Sequence, residues 1–270
     1  MVMIYRGLCI TGTDTGVGKT AVACGLAMLW RGAGLKVGAL KPVETGCAGA
    51  ELEPADGLML ARAAGIALPE QAVEGAWTTA ALDDVAPWRF AAALAPEEAA
   101  RLMGAEITVD RIYQAMDRWM DTADLVLVET AGGLMVPLNP RFTTADLMQG
   151  LELPALVVAP NRLGVINHAL LTIEALRARD ITPVAVVLNT IGAADESAGS
   201  NARIIRAHSG VPVFEVPPAG AGDAGAVAAR ALGPAPDIIR KAMETDWARI
   251  AARYINRDGA AARQGGSHEA

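Results

Sequence analysis

Gly12-Thr13-Asp14-Thr15-Gly16-Val17-Gly18-Lys19-Thr20 decides how the rest of the chain is read. Ahead of it, Leu8-Cys9-Ile10-Thr11 reads as a short buried strand. Behind it, Val22, Leu26, Leu29 and Trp30 recur at helical spacing until Gly32 and Gly34 end the helix. Strand, glycine-rich loop, Gly-Lys-Thr and helix form the layout of a phosphate-binding loop. Glycines let backbone N–H groups turn toward phosphate oxygens, and the helix N-terminus adds partial positive charge. Gly16, Val17 and Gly18 supply that backbone. Lys19 brings a cation for the β- and γ-phosphates, and the Thr20 hydroxyl is a ligand for Mg²⁺. Five residues separate Gly12 from Gly18, one more than is usual.

The same stretch sets the scale of the protein. With 270 residues the chain suits one α/β domain, taken as 1–257. Residues 258–270 are small, polar and glycine-containing, and are expected to form a disordered tail. A net charge of −7 gives no general electrostatic reason to bind nucleic acid, so phosphates must be held by local cations. Cys9, Cys24 and Cys47 show no metal-ligand or redox spacing and leave one thiol unpaired, which suits a reducing cytosol. Every apolar run is broken before the ~20 residues of a membrane span. The start of the chain, with Arg6 leading into the loop, does not read as a signal peptide. A cytoplasmic protein is the expectation.

Five further apolar runs follow: Val37-Gly-Ala-Leu40, Leu125-Val-Leu-Val128, Ala155-Leu-Val-Val-Ala159, Val184-Ala-Val-Val-Leu188 and Val211-Pro-Val-Phe214. Their brevity, Val content and bracketing turns read as strands buried on both faces. Helical patterns between most of them predict a mostly parallel sheet of the P-loop NTPase type with helices on both faces. The stretch 77–101 reads as loop and helix over one end of the sheet, and 107–120 as an amphipathic helix.

In such sheets ligands sit at the carboxyl ends of the strands, and chemistry-bearing residues fall there. Lys41-Pro42-Val43-Glu44-Thr45-Gly46 follows the second strand. Lys41 is a candidate second cation for a phosphoryl group in transfer, and Thr45 is either a turn hydroxyl or a substrate contact. Asp56 opens a short helix, as its cap or as one of two carboxylates near a Mg²⁺-nucleotide. Glu129, at the end of the third strand, is placed to hold Mg²⁺ directly or through water, followed by Thr130, Ala131, Gly132 and Gly133. Asn189-Thr190 ends the fifth strand, where an amide can pair with adenine as such amides do in DNA readout. The Asn-Lys-x-Asp pattern of guanine sites is absent, which favours ATP over GTP. The helix starting near Val165 follows Leu163-Gly164 without an obvious cap, leaving N–H groups for an anion.

Together these segments resemble the dethiobiotin synthetase family. The matching residues are 12–20, Lys-Pro-Val-Glu-Thr-Gly (41–46), Asp56, Leu-Ala-Pro-x-x-Ala-Ala-Arg-Leu (94–102), Glu129 with Ala-Gly-Gly (131–133), and Leu-Gly-Val-Ile-Asn-His-Ala-Leu-Leu-Thr (163–172). They run in family order over about residues 7–218, and the longer loop is itself a family mark. The resemblance implies a ligase that carboxylates 7,8-diaminopelargonic acid with CO₂ (or bicarbonate), phosphorylates the carbamate from ATP and closes a cyclic urea. It implies Lys19, Lys41 and Thr15 at the chemistry, and Thr20, Asp56 and Glu129 on Mg²⁺. Asn189, Thr190 and Pro217 would lie near adenine. Thr45, Gly164, Val165 and Asn167 would meet the diamine, whose distal carboxylate suits the helix start. It further implies a homodimer whose sites are built from both chains, with a segment near Asn201 contributing.

Several positions depart from the family pattern. Gly16 stands where some members carry an acid, Thr130 where glycine is usual, and Glu97 where many have His. The region around 219–232 reads as lacking the late acid that the family pattern leads one to expect near the ribose, which leaves that contact unassigned. Two rival readings share the fold. Partitioning-type switch ATPases carry a lysine early in the loop, where this chain has Asp14. Amide-forming ligases of cobalamin synthesis need a glutamine-hydrolysing domain for which the chain has no room.

Overall fold

A computed structural model describes residues 5–49, 52–67, 79–220, 222–233 and 235–264. The phosphate loop lies between β1 (Gly7–Gly12) and α1 (Lys19–Gly32). Next come β2 (Val37–Leu40), β3 (Val43–Thr45), α2 (Ala55–Ala64), α3 (Thr79–Val85), β4 (Trp88–Phe90), α4 (Pro96–Leu102) and α5 (Val109–Met120). After these follow β5 (Leu125–Gly133), β6 (Pro137–Asn139), β7 (Phe142–Thr143), α6 (Thr144–Leu151), β8 (Ala155–Pro160) and α7 (Val165–Arg177). The chain continues through β9 (Pro183–Asn189), α8 (Ala198–Ser209), β10 (Val213–Val216), α9 (Ala224–Ala231) and α10 (Ala235–Gln264).

Six strands form one sheet in the order β10-β9-β8-β1-β5-β2, and every pairing in it is parallel. β1 is central because both its faces are apolar. Leu8 and Ile10 pack toward α1, α2, α9 and α10, and Cys9 packs toward α5, α6, α7 and α8. The same alternation runs through β5, where Leu125 and Leu127 face one layer and Val126 and Val128 the other. Chain order reverses at β1: β5 lies on one side and β8 on the other. That switch point opens the crevice in which such sheets bind ligands. In register, Ile10 faces Glu129 and Gly12 faces Val158, so the loop and the β5 acid leave the sheet at one level.

Three elements differ from the sequence reading. Residues 88–90, read within a loop-and-helix cover, form β4 and pair in parallel with β3 outside the main sheet. Residues 77 and 78 of that cover lie outside the described residues. Asp83 takes both Arg89 (2.8 Å) and Arg111 (3.0 Å), tying α3, β4 and α5 together. The sixth strand starts at Val213 instead of Val211, since Pro212 has no N–H to give a ladder, though its carbonyl accepts from Val186. Lastly, α10 runs to Gln264, so 258–264 are helical where a disordered tail was expected. Ala260, Ala261 and Ala262 are strong helix formers. The remaining 265–270 lie outside the described residues.

Candidate nucleotide and metal site

At the carboxyl end of the sheet a cavity of about 630 Å³ gathers residues from five segments. The phosphate loop contributes Thr15, Gly16, Gly18, Lys19 and Thr20. The β2–β3 link gives Lys41, β3 Glu44 and Thr45, and α2 Asp56. β5 adds Glu129, Ala131 and Gly132, and residues 93–96 form the outer wall. The loop is shaped by glycine where shape is demanding: Gly18 has φ 87°, and a Cβ there would lie 2.1 Å from Asn189 Nδ2.

Lys41 is the centre of the polar network. Its ammonium donates to Glu129 Oε1 at 2.6 Å and to Asp56 Oδ2 at 3.0 Å. The Thr20 hydroxyl donates to the same Glu129 Oε1 at 2.8 Å. Burial works to lower the Lys41 pKa, but the Glu129 and Asp56 carboxylates outweigh it and push it up. Burial likewise works to raise Asp56, and Lys41, by charge and by hydrogen bond, holds it below the ordinary carboxyl value. Lys19 moves the other way. Burial and the neighbouring Lys41 ammonium lower it, against the pull of Glu129, Asp56 and Asp14. Its Nζ donates to the Asp14 carbonyl at 3.1 Å, folded back along its own loop.

Glu129 Oε2 is buried, in a side chain 1 % exposed, and has no hydrogen-bond partner among the described residues. An orphaned carboxylate oxygen is costly, and a cation beside it would satisfy it. Among the described residues no group of three or more His, Cys, Asp or Glu is arranged to hold a metal. An ion here would have two carboxylates, the Thr20 hydroxyl, and otherwise nucleotide oxygens and water. That donor set fits Mg²⁺, which keeps much of its hydration.

Other candidates are used differently. Val17 is buried in the core, and the Thr130 hydroxyl donates to the Ile10 carbonyl at 3.3 Å, turned into the sheet. Asn189 donates to the Val17 carbonyl at 3.0 Å and so braces the loop from β9. Thr190 donates its N–H to Val216, and Pro217 is exposed beyond β10. Gly164 and Asn167 are exposed at the start of α7, but Val165 is buried and its N–H goes to Arg162. Asn201 is buried too, its amide donating to Asn161 and Ser197, so its side chain is committed within the chain.

Two acids passed over in the sequence have clear roles. Glu44 accepts from the backbone N–H groups of Asp56 and Gly57, both at 2.9 Å. Burial pushes its pKa up, against those two bonds and Lys41. Its sequence signal is its place in Lys-Pro-Val-Glu-Thr-Gly (41–46), which gave it no role of its own. Asp223, within 219–232, caps α9 through the N–H groups of Gly225 and Ala226.

Residues 6–220 match the family model described as an AAA domain. An ATP-dependent dethiobiotin synthetase BioD from Anaeromyxobacter dehalogenans (strain 2CP-C) is 44% identical over 71% of this chain and 79% of its own length. Proteins of the same name from Phenylobacterium zucineum (strain HLK1) and Caulobacter vibrioides (strain NA1000 / CB15N) are 39% and 41% identical. They cover 77% and 68% of this chain, and 87% and 80% of their own lengths. The chain belongs to the ATP-dependent dethiobiotin synthetase family. It is accordingly a ligase-type enzyme. Among solved structures, the MinC:MinD complex of Aquifex aeolicus aligns at TM-score 0.47 and 14% identity, over 88% of this chain and 96% of that one; nothing about function follows from that likeness. Among the described residues no helix is long and apolar enough to cross a membrane.

Proposed function

We propose that this chain carboxylates 7,8-diaminopelargonic acid with CO₂ and closes dethiobiotin at the expense of one ATP. The observation that carries the reading is the convergence of Lys19, Lys41, Asp56 and Glu129 on one cavity beside a phosphate loop. An amine of the substrate adds to CO₂, losing a proton, to give a carbamate. A carbamate oxygen takes the γ-phosphoryl group, and ADP leaves. The second amine then attacks the carbamoyl carbon, expels phosphate and closes the cyclic urea.

No step needs an enzyme nucleophile, so catalysis is positioning and charge. Lys19 and Lys41 offset the negative charge spread over carbamate, phosphoryl group and ADP. Thr20, Asp56 and Glu129 would hold Mg²⁺, which supplies further charge neutralisation at the phosphates when bound. Thr15 and Thr45 line the cavity wall for the diamine, and Ala131 and Gly132 bring backbone to the phosphates. Asn189, Thr190 and Pro217 lie on the adenine side. The N-terminus of α7, at Gly164 and Asn167, suits the substrate's distal carboxylate.

The reading extends to a homodimer in the cytoplasm. Leu163, Leu171 and Met135 are exposed apolar side chains about α7 and a shallow groove of about 570 Å³ beside the phosphate loop. Covering that surface with a second copy would bring one chain's α7 to the other's cavity.

The test is to incubate the pure protein with the diamine, bicarbonate and Mg-ATP. Dethiobiotin should be seen by mass spectrometry, with one ADP for each product. ADP release without dethiobiotin overturns the proposal.

A further inference from the structure

Helix α2 begins without a cap of its own. Pro54 stands at its N-cap position, and no side chain there accepts a bond. The first N–H groups of a helix need acceptors from elsewhere. Glu44 supplies them from β3: Oε1 accepts from Asp56 N and Oε2 from Gly57 N. These are the second and third helical residues, the positions a side-chain cap serves. The carboxylate is buried, and it meets the positive end of the helix dipole. A Cβ at Gly57 would meet Val85 Cγ1 tightly, at 3.2 Å, and Glu44 Oε2 at an ordinary contact distance of 3.4 Å. Held by its own N–H, Asp56 presents its carboxylate 3.0 Å from Lys41 Nζ.

We propose that Glu44 is a positioning residue: it clamps the start of α2 so that Asp56 stands where, with Glu129 and Thr20, it can take a nucleotide-bound Mg²⁺. This rests on the assignment of Asp56 to the metal made above and deepens it. One short segment then serves two purposes. Lys41 meets the phosphoryl group, and Glu44, three residues on, fixes the backbone that carries the metal-side acid. Because Glu44 also lines the cavity, the competing role is direct contact with a substrate ammonium.

The experiment compares ATP binding by calorimetry with Mg²⁺ and with EDTA, in the absence of diamine. Glu44→Gln keeps the shape but turns an N–H toward a backbone N–H. It should lose on the order of 5–10-fold of the Mg²⁺-dependent affinity, the worth of a helix cap, with metal-free ATP affinity unchanged. In turnover assays the half-saturating Mg²⁺ should rise by the same factor while the KM for the diamine holds. Adding Pro54→Ser, which gives α2 a local cap, should recover most of the loss. A raised diamine KM at unchanged Mg²⁺ dependence overturns the proposal, as does equal loss of ATP affinity with and without metal, or no recovery by Pro54→Ser. If Glu44→Gln does not fold, Glu44→Asp, one methylene shorter, is read by the same comparisons. A wild-type protein that makes no dethiobiotin would sink the functional reading separately, because the binding arms contain no diamine.

Discussion

Lys41 Nζ lies 2.6 Å from Glu129 Oε1, and the two side chains are 5 % and 1 % exposed. Such a pair has given up most of its hydration, so it persists only because each charge answers the other and Thr20 and Asp56 supply further bonds. A cation thus already stands among the acids read as metal ligands, within the same cavity as Lys19.

Removing that cation has two expected consequences. Lys41→Ala leaves Glu129 buried and unpaired, which costs about 3–5 kcal/mol in such cases, read as a lower urea midpoint. Turnover should fall by at least about 10²-fold, the scale of a lost preorganised charge, and Lys19→Ala should do the same to turnover. Near-normal kcat in Lys41→Ala would falsify its catalytic assignment.

Asp56 gives a pH signature. Its folded-state pKa is depressed below 3.8, so near that value the unfolded chain binds more protons than the folded one. Its contribution to stability is therefore complete above the ordinary carboxyl value and is lost as pH falls through the folded one. Urea unfolding of wild type and Asp56→Asn should differ at pH 6 and converge toward pH 3. A difference that grows on acidification contradicts the assignment.

Metal binding should be conditional. With two carboxylates already engaged by Lys41 and a single hydroxyl beside them, the protein offers Mg²⁺ too little without phosphate oxygens. Calorimetry should show weak Mg²⁺ binding to the nucleotide-free protein and strong binding once ATP is present, and EDTA should abolish turnover. Tight binding without nucleotide would contradict this picture.

Asn189 and Gly18 should couple. Gly18→Ala puts a Cβ where Asn189 Nδ2 lies and asks for φ 87°. Asn189→Ala alone removes one bond to the Val17 carbonyl and should raise the KM for ATP about 2–10-fold. In Gly18→Ala/Asn189→Ala the collision is gone and only the backbone strain, about 1–2 kcal/mol, remains. The double variant should therefore bind ATP better than Gly18→Ala. If it binds worse, the collision is not what Gly18 avoids.

The phosphate loop and the buried strands were legible in the sequence because their signals are local: Gly-Lys-Thr, and Val-rich runs between turns. Lys41 and Glu129 were legible as strand-end charges, since a parallel sheet delivers all its carboxyl ends to one edge. What stayed hidden depended on distance in the chain. β3 and β4 are three residues each and exist only by pairing across more than forty positions. Glu44 carries no assigned role in its motif, because the N–H groups it accepts from belong to α2, twelve and thirteen residues on. Val165 looked like an exposed helix start, and only packing shows it buried. The helix through 258–264 follows alanine propensity, which the small and polar composition masked.

The shared-site proposal sharpens once burial is known. A charge at Val165 would damage the core, since that residue is 1 % exposed. Leu163, at 82 % exposure beside Gly164, is the better position. Leu163→Asp places a negative charge where the substrate carboxylate is expected, and Lys19→Ala disables the phosphate loop of its own chain. Each variant alone should be nearly inactive. In a two-fold dimer made of one of each, one site combines both lesions and the other contains only wild-type groups. Mixing the variants and isolating the heterodimer by differential tags should therefore restore up to about half of wild-type activity. The expected readout is dethiobiotin formed per dimer, with sedimentation establishing that the active species is the dimer. A heterodimer that forms and stays dead, or activity that sediments as a monomer, defeats the shared-site proposal while leaving the chemistry of Lys19 and Lys41 to stand on its own variants.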